Sequence, residues 1–97
     1  MVSGSGHLTI TTAGHPQSIP NLGKVSGFRM SVRSGNTGAN MYLVGTGQES
    51  PSETPSTGYP VAKGTKEEFN FLDLSTVEFD ADHNDDTFDY FYTSQAI

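Results

Sequence analysis

The sequence predicts an all-β fold, a small antiparallel β-sandwich with jelly-roll-like topology and about seven or eight short strands. Apolar and polar residues alternate along several short segments, as they do in strands that bury one face. Turn-forming glycine, proline, asparagine and aspartate residues separate these segments at short intervals. No segment keeps a 3.6-residue apolar period over even two helical turns, so no helix is expected.

The first half of the chain predicts two strands and a short extended piece. Residues 7–12 alternate and are rich in β-branched side chains, and residues 17–20 form the extended piece before a turn. Residues 24–33 are the clearest strand, and the glycine-containing turn at residues 34–38 ends it. On that strand Phe28, Met30 and Val32 face one way, and Arg29, Ser31 and Arg33 face the other.

The middle of the chain predicts a buried strand followed by a long surface loop. Residues 41–44 are continuously apolar, whereas residues 46–58 contain two prolines, two glutamates and no apolar side chain. Loops of this length in compact domains are either functional or disordered, and both alternatives remain open here. Residues 59–61 re-enter the folded body.

The last part of the chain, residues 66–93, carries most of the aromatic residues and is expected to build the core. Residues 67–71 alternate as a strand, and residues 77–80 and 87–93 are predicted to form a hairpin around the acidic turn between them. If Phe88, Tyr90 and Tyr92 face the core, Phe91 points outward and suggests a contact surface. The alternative is a central strand that is covered on both faces.

Length and composition indicate one domain that relies on a partner for stability. The 97 residues predict a flexible arm at residues 1–6 and a single sandwich domain at residues 7–97, with its long loop at residues 46–58. Only 33% of the residues are apolar, and the absence of cysteine removes disulfides and zinc–thiolate sites. A thin core without these supports favours oligomerisation or docking on a larger surface.

The charge balance argues against nucleic acid as a direct partner. The formal net charge is −6 with only five lysines and arginines, whereas phosphate binding needs clustered cations. No apolar run approaches the roughly 20 residues of a membrane span. The first six residues have neither a basic nor an apolar region, so no signal peptide is expected.

The acidic turn is the one candidate metal site. Residues 80–84 place oxygen-bearing side chains at the alternate positions that begin an EF-hand calcium loop. However, Asp85 stands where that loop requires glycine, Phe91 stands where it requires glutamate, and no flanking helices are predicted. A solvated turn is therefore the preferred interpretation, and no cofactor is expected. The weak candidate ligands are Asp80, Asp82, Asn84, Asp85 and Asp86.

No catalytic constellation is evident in the sequence, so the chain is not expected to be an enzyme. There is no Gly-x-Ser-x-Gly elbow and no cysteine nucleophile, and a core this small does not shape a deep pocket. His7, His15 and His83 are spread along the chain, and nothing local brings them together.

Two segments resemble small structural proteins of tailed bacteriophages. Residues 34–45, SGNTGANMYLVG, are similar to their GNTG segment followed by a hydrophobic residue, tyrosine, valine and glycine. Residues 58–65, GYPVAKGT, are similar to their Gly-Tyr-Pro-Leu-x-x-Gly-Glu segment. The order of later features also agrees, namely an Asp-Leu-Ser segment, a strand, an acidic turn and a tyrosine-rich last strand. The resemblance runs from about Leu8 onward, although the loop at residues 46–57 is longer than in those proteins.

The resemblance implies a capsid decoration (cement) protein, made in the host cytoplasm and located on the virion surface. Its expected partner is the major capsid protein, and it is expected to form a homotrimer or homodimer on the shell. The alternatives are a neck or tail module, or a free-standing β-sandwich that binds calcium or carbohydrate. The residues expected at the protein interface are Arg29, Arg33, Gln48, Glu49 and Phe91.

Overall fold

The computed structural model describes residues 2–20, 22–45 and 59–94, and these form seven strands in two antiparallel sheets. The all-β sandwich prediction is confirmed. The predicted loop at residues 46–58, with Gln48 and Glu49, lies outside the described residues. In the part of the chain that is described, no helix is long and apolar enough to cross a membrane. The strands are β1 (Val2–Ile10), β2 (Lys24–Val32), β3 (Asn40–Gly45), β4 (Tyr59–Ala62), β5 (Lys66–Asp73), β6 (Val77–Ala81) and β7 (Asp86–Ser94).

The strand order is that of a jelly roll. One sheet has the order β1-β7-β2-β5 and the other β4-β3-β6. Gln17 adds a bridge beside β6, since its N–H donates to the carbonyl of Phe79 at 2.9 Å and its carbonyl accepts from the N–H of Phe79 at 2.7 Å. If this piece is counted as a strand between β1 and β2, the two sheets have the orders 1-8-3-6 and 5-4-7-2. These are the two Greek-key layers of a jelly roll.

The predicted hairpin between the last two strands is wrong. β6 pairs with β3 in the smaller sheet, whereas β7 pairs with β1 and β2 in the larger sheet. The acidic turn therefore carries the chain from one layer to the other. Its side chains bond to loops between other strands.

The predicted flexible arm is also wrong for residues 2–6, which form the first half of β1. Every residue of β1 lies opposite a residue of β7, from Val2 opposite Ser94 to Ile10 opposite Asp86. Two glycines permit this pairing. A Cβ atom on Gly4 would lie 2.7 Å from the hydroxyl of Tyr92, and one on Gly6 would lie 2.6 Å from the hydroxyl of Tyr90. The tyrosine rings thus occupy the space that side chains on β1 would need.

Substitution of Gly6 by alanine is expected to destabilise the fold by about 1–3 kcal/mol, the typical cost of an added methyl group in packed surroundings. The ring of Tyr90 has little room to move, because it packs on Phe28 at a centroid distance of 5.7 Å. Gly35→Ala is the matched control, since nothing lies within 4 Å of a Cβ atom there. Urea unfolding checks this, and equal midpoints for the two variants would contradict it.

The core lies between the two sheets and draws on the whole chain. Phe79 of the smaller sheet packs against Phe28 and Phe88 of the larger sheet, with ring centroids 5.9 and 4.8 Å apart. Eight of the twelve residues in the buried cluster precede residue 66, so the core is not concentrated in the C-terminal part as expected. The cluster consists of Ile10, Ile19, Val25, Phe28, Met30, Val32, Met41, Val61, Leu74, Phe79, Ala81 and Phe88.

Candidate docking surface

The outward face of the larger sheet carries a row of side chains centred on Phe91. Phe91 lies opposite Ser5 on one side and Arg29 on the other, and Arg29 lies opposite Glu68. Phe91 is 49% exposed, whereas Phe88 on the same strand is fully buried. Of the two alternatives for β7, the structure therefore confirms the one in which Phe91 points outward.

A shallow hollow lies beside the exposed ring, with a volume of about 220 Å³. Gly27 leaves the space open because it has no side chain, and Thr93 is its cross-strand neighbour. Small-molecule sites usually enclose roughly 300–1,000 Å³, so this hollow suits a single side chain of a partner better than a free ligand. We call it the Phe91 hollow, and it is lined by Gly27, Phe28, Arg29, Glu68, Phe69, Asn70, Phe91 and Thr93.

An ion pair forms the charged rim of the Phe91 hollow. Nε of Arg29 donates to Oε1 of Glu68 at 2.9 Å, and the terminal nitrogen of Arg29 donates to the same oxygen. Both side chains are more than half exposed, and exposed pairs contribute only about 0–1 kcal/mol to stability. An apolar centre with a charged, solvated rim is the usual anatomy of a protein interface.

Arg33 lies four residues after Arg29 on the same outward face, in a separate ion pair. Its Nε and terminal nitrogen donate to the two carboxylate oxygens of Asp89 at 2.9 and 2.8 Å. The hydrogen bond from Arg33 holds the pKa of Asp89 below its ordinary value of 3.8, and partial burial opposes this shift. The structure thus places Arg29 and Phe91 together at the hollow, and places Arg33 beside it with its charge already matched.

The Arg33–Asp89 pair predicts a small acid-sensitive contribution to stability. Because the pKa of Asp89 is lower in the folded state, the contribution is complete above the ordinary value of 3.8 and is lost as pH falls through the folded pKa. Both side chains are about half exposed, so we expect Arg33→Gln to lower the free energy of unfolding only slightly at neutral pH. Denaturant unfolding at neutral and strongly acid pH checks this. A loss of equal size at both pH values would contradict it.

The acidic turn, interpreted from the sequence as a solvated turn with only weak candidate metal ligands, holds the loop between β2 and β3. The two carboxylate oxygens of the buried Asp86 accept the N–H groups of Thr37 and Gly38, each at 2.9 Å. Those of Asp82 accept the N–H of Asn40 at 3.0 Å and the hydroxyl of Tyr42 at 2.7 Å. Burial raises the pKa of Tyr42 and the bond to Asp82 raises it further, so the hydroxyl remains a donor at neutral pH.

The same turn holds the connection between β1 and β2. Oδ1 of Asp80, which is fully buried, accepts the N–H groups of Gly14 at 2.9 Å and Ala81 at 2.8 Å. Oδ1 of Asn84 accepts the N–H of Ala13 at 2.8 Å. We call Asp80, Asp82, Asn84 and Asp86 the acidic clasp, because together they fix two loops that are remote in sequence.

Metal binding finds no support in the described residues. No group of three or more histidine, aspartate or glutamate side chains there is arranged to hold a metal ion. Asp85, the remaining candidate ligand, is exposed and adopts a left-handed backbone conformation with φ of 69°. Its N–H donates to the carbonyl of Ile10 at 2.7 Å, so this residue completes the turn.

The GNTG segment has a structural explanation that the sequence did not reveal. Asn36 pairs with the backbone of Thr87 in both directions, since its amide donates to the carbonyl and accepts from the N–H, each at 3.0 Å. Thr37 and Gly38 supply the N–H groups that Asp86 accepts. A Cβ atom on Gly38 would lie 2.7 Å from that carboxylate, so glycine permits the close approach. This segment therefore anchors the loop to the start of β7.

Comparison of the chain with protein-family models, with curated proteins and with solved structures gives no match.

Proposed function

We propose that this chain is a non-enzymatic structural protein of a tailed-phage virion, a decoration protein that binds the major capsid protein shell. The observation that carries the docking part of the proposal is the outward Phe91 beside its charged rim on the larger sheet. The resemblance of residues 34–45 and 58–65 to tailed-phage structural proteins supplies the partner.

The Phe91 hollow suits a protein partner. An apolar side chain of the shell would enter above Gly27 and pack against the ring of Phe91, while Arg29 and Glu68 bond to polar groups around it. Aromatic residues and arginine are enriched at the few positions that dominate interface energies. Removal of the ring from water on docking supplies the driving force.

A prearranged surface also favours binding. The hollow is built on strands β2, β5 and β7, and the acidic clasp fixes the loops at the start of β7. Residues that are already ordered lose little conformational freedom on association, so more of the contact energy appears as affinity. A cement function needs this property, because each copy must bridge shell subunits without a large core of its own.

Co-sedimentation tests the proposal directly. Purified protein is mixed with expanded shells of the major capsid protein encoded alongside it, prepared without this protein. We expect saturable binding at a fixed ratio to the capsid protein, together with a higher melting temperature of the shells, because a ligand that binds only the assembled state stabilises it. Absence of binding would overturn the proposal. Recovery of the protein at the neck or tail of virions would then favour that alternative.

A further inference from the structure

β1 is an edge strand of the larger sheet and lacks the features that normally prevent edge pairing. It contains no charged residue, no proline and no bulge, since all nine residues keep their register with β7. By contrast, β5 at the opposite edge carries Lys66, Glu67 and Glu68. The edge strand β4 of the smaller sheet is only four residues long and contains Pro60. Short length, charge and proline are the common protections of sheet edges.

The free edge of β1 has a defined extent. Apart from the pairing with β7, no backbone hydrogen bond joins residues 3–9 to another described residue. The edge closes at its C-terminal end, where the carbonyl of Ile10 accepts the N–H of Asp85 at 2.7 Å and the N–H of Thr11 donates to Gln17. Unpaired N–H and C=O groups in a row form a template for another strand.

We propose that two copies of this chain associate through antiparallel pairing of their β1 strands, which joins the two larger sheets into one continuous sheet of eight strands.

The charge distribution favours a second copy at this edge. The chain has a net charge of −6, so most pairs of surfaces on two copies repel each other. The β1 edge is uncharged, and the nearest carboxylate on β7, Asp89, is matched by Arg33.

Symmetry limits the possible registers. In a dimer with a two-fold axis perpendicular to the sheet, the buried faces of both copies lie on the same side only if one residue of β1 lies opposite its own equivalent. This follows because strand side chains alternate between the two faces. Ser5 lies next to the centre of the free stretch of residues 3–9 and is exposed, so we place the axis there. Pairing about Ser5 places Ser3 opposite His7 of the second copy and Ser5 opposite its own equivalent. All three residues are exposed, and none of them is an acidic residue, a lysine or an arginine.

Disulfide trapping tests the register. The chain has no cysteine, so Ser5→Cys introduces one thiol per copy. Directly opposed Cβ atoms in antiparallel strands lie about 4.5–5.5 Å apart, close enough for a disulfide after a small adjustment. We expect disulfide-linked dimers of Ser5→Cys, and only background linkage for Ser34→Cys, an exposed serine in the turn after β2. Equal linkage of both variants would overturn the register.

Sedimentation equilibrium tests the interface itself without any shell. We expect the unmodified protein to have the mass of a dimer, Ser5→Lys to have that of a monomer, and Ser34→Lys in the turn after β2 to remain a dimer. The inference would be overturned if the unmodified protein were monomeric at all concentrations, or if Ser5→Lys remained a dimer. These masses do not depend on the capsid partner, so failure here leaves the proposed docking through Phe91 untouched.

Discussion

Replacement of Asp86 by asparagine should lower the free energy of unfolding by about 3 kcal/mol, because hydrogen bonds to a charged acceptor are each worth about 1.5–3 kcal/mol. Both carboxylate oxygens accept backbone N–H groups, from Thr37 and Gly38. Asparagine offers one acceptor oxygen and turns its amide nitrogen toward the other N–H. That donor, which is partly buried, then has no partner in the protein, which adds a desolvation cost.

Asp85→Asn provides the matched control for this prediction. It makes the same change of charge one residue away, on an exposed side chain that accepts neither loop N–H. Asparagine also tolerates the left-handed conformation found there, with φ of 69°. We expect a change within about 0.5 kcal/mol for this variant. Thermal unfolding should separate the two variants by more than about 10 °C for a domain of this size. Similar melting temperatures would refute the structural importance of the acidic clasp.

Phe91→Ala should weaken binding to capsid shells by about 30-fold, which corresponds to about 2 kcal/mol and is typical of an aromatic residue at the centre of an interface. The ring is 49% exposed in the free protein, so its loss should change the free energy of unfolding by no more than about 0.5 kcal/mol. Quantitative co-sedimentation over a range of protein concentrations measures the first effect, and urea unfolding measures the second.

Tyr59→Ala is the comparison variant, since Tyr59 is 53% exposed but lies on β4 in the smaller sheet. Its ring packs edge-on against Phe69 at 5.9 Å, so it is an aromatic side chain in a similar partly packed state. Normal binding of Tyr59→Ala together with weak binding of Phe91→Ala would support the hollow. The reverse pattern would move the docking surface to β4 and refute our assignment.

The strands themselves were predictable from the sequence, because side-chain alternation is a local property. Phe28, Met30 and Val32 face the core and Arg29 faces outward, as the pattern of β2 indicated. The outward position of Phe91 followed from the same alternation once the inward side of β7 was chosen.

The errors came from contacts between residues that are far apart in sequence. The serine–glycine start of the chain has the composition of a linker, yet Gly6 is needed so that Tyr90 can lie across β1. The acidic turn has the composition of a solvated hairpin, yet Asp86 accepts N–H groups from a loop almost fifty residues earlier. Local spacing carries no information about such partners, so neither the strand pairing nor the purpose of the carboxylates was predictable.

The position of β7 within the larger sheet has a consequence for folding during synthesis. β7 is the last of the seven strands in chain order, yet it lies between β1 and β2 and pairs with both. Until it emerges from the ribosome, β1 has no partner strand, and the aromatic side of the core lacks Phe88. Contacts of long sequence separation slow folding because a large loop must close first. Folding of the larger sheet therefore waits until nearly the whole described chain has been made.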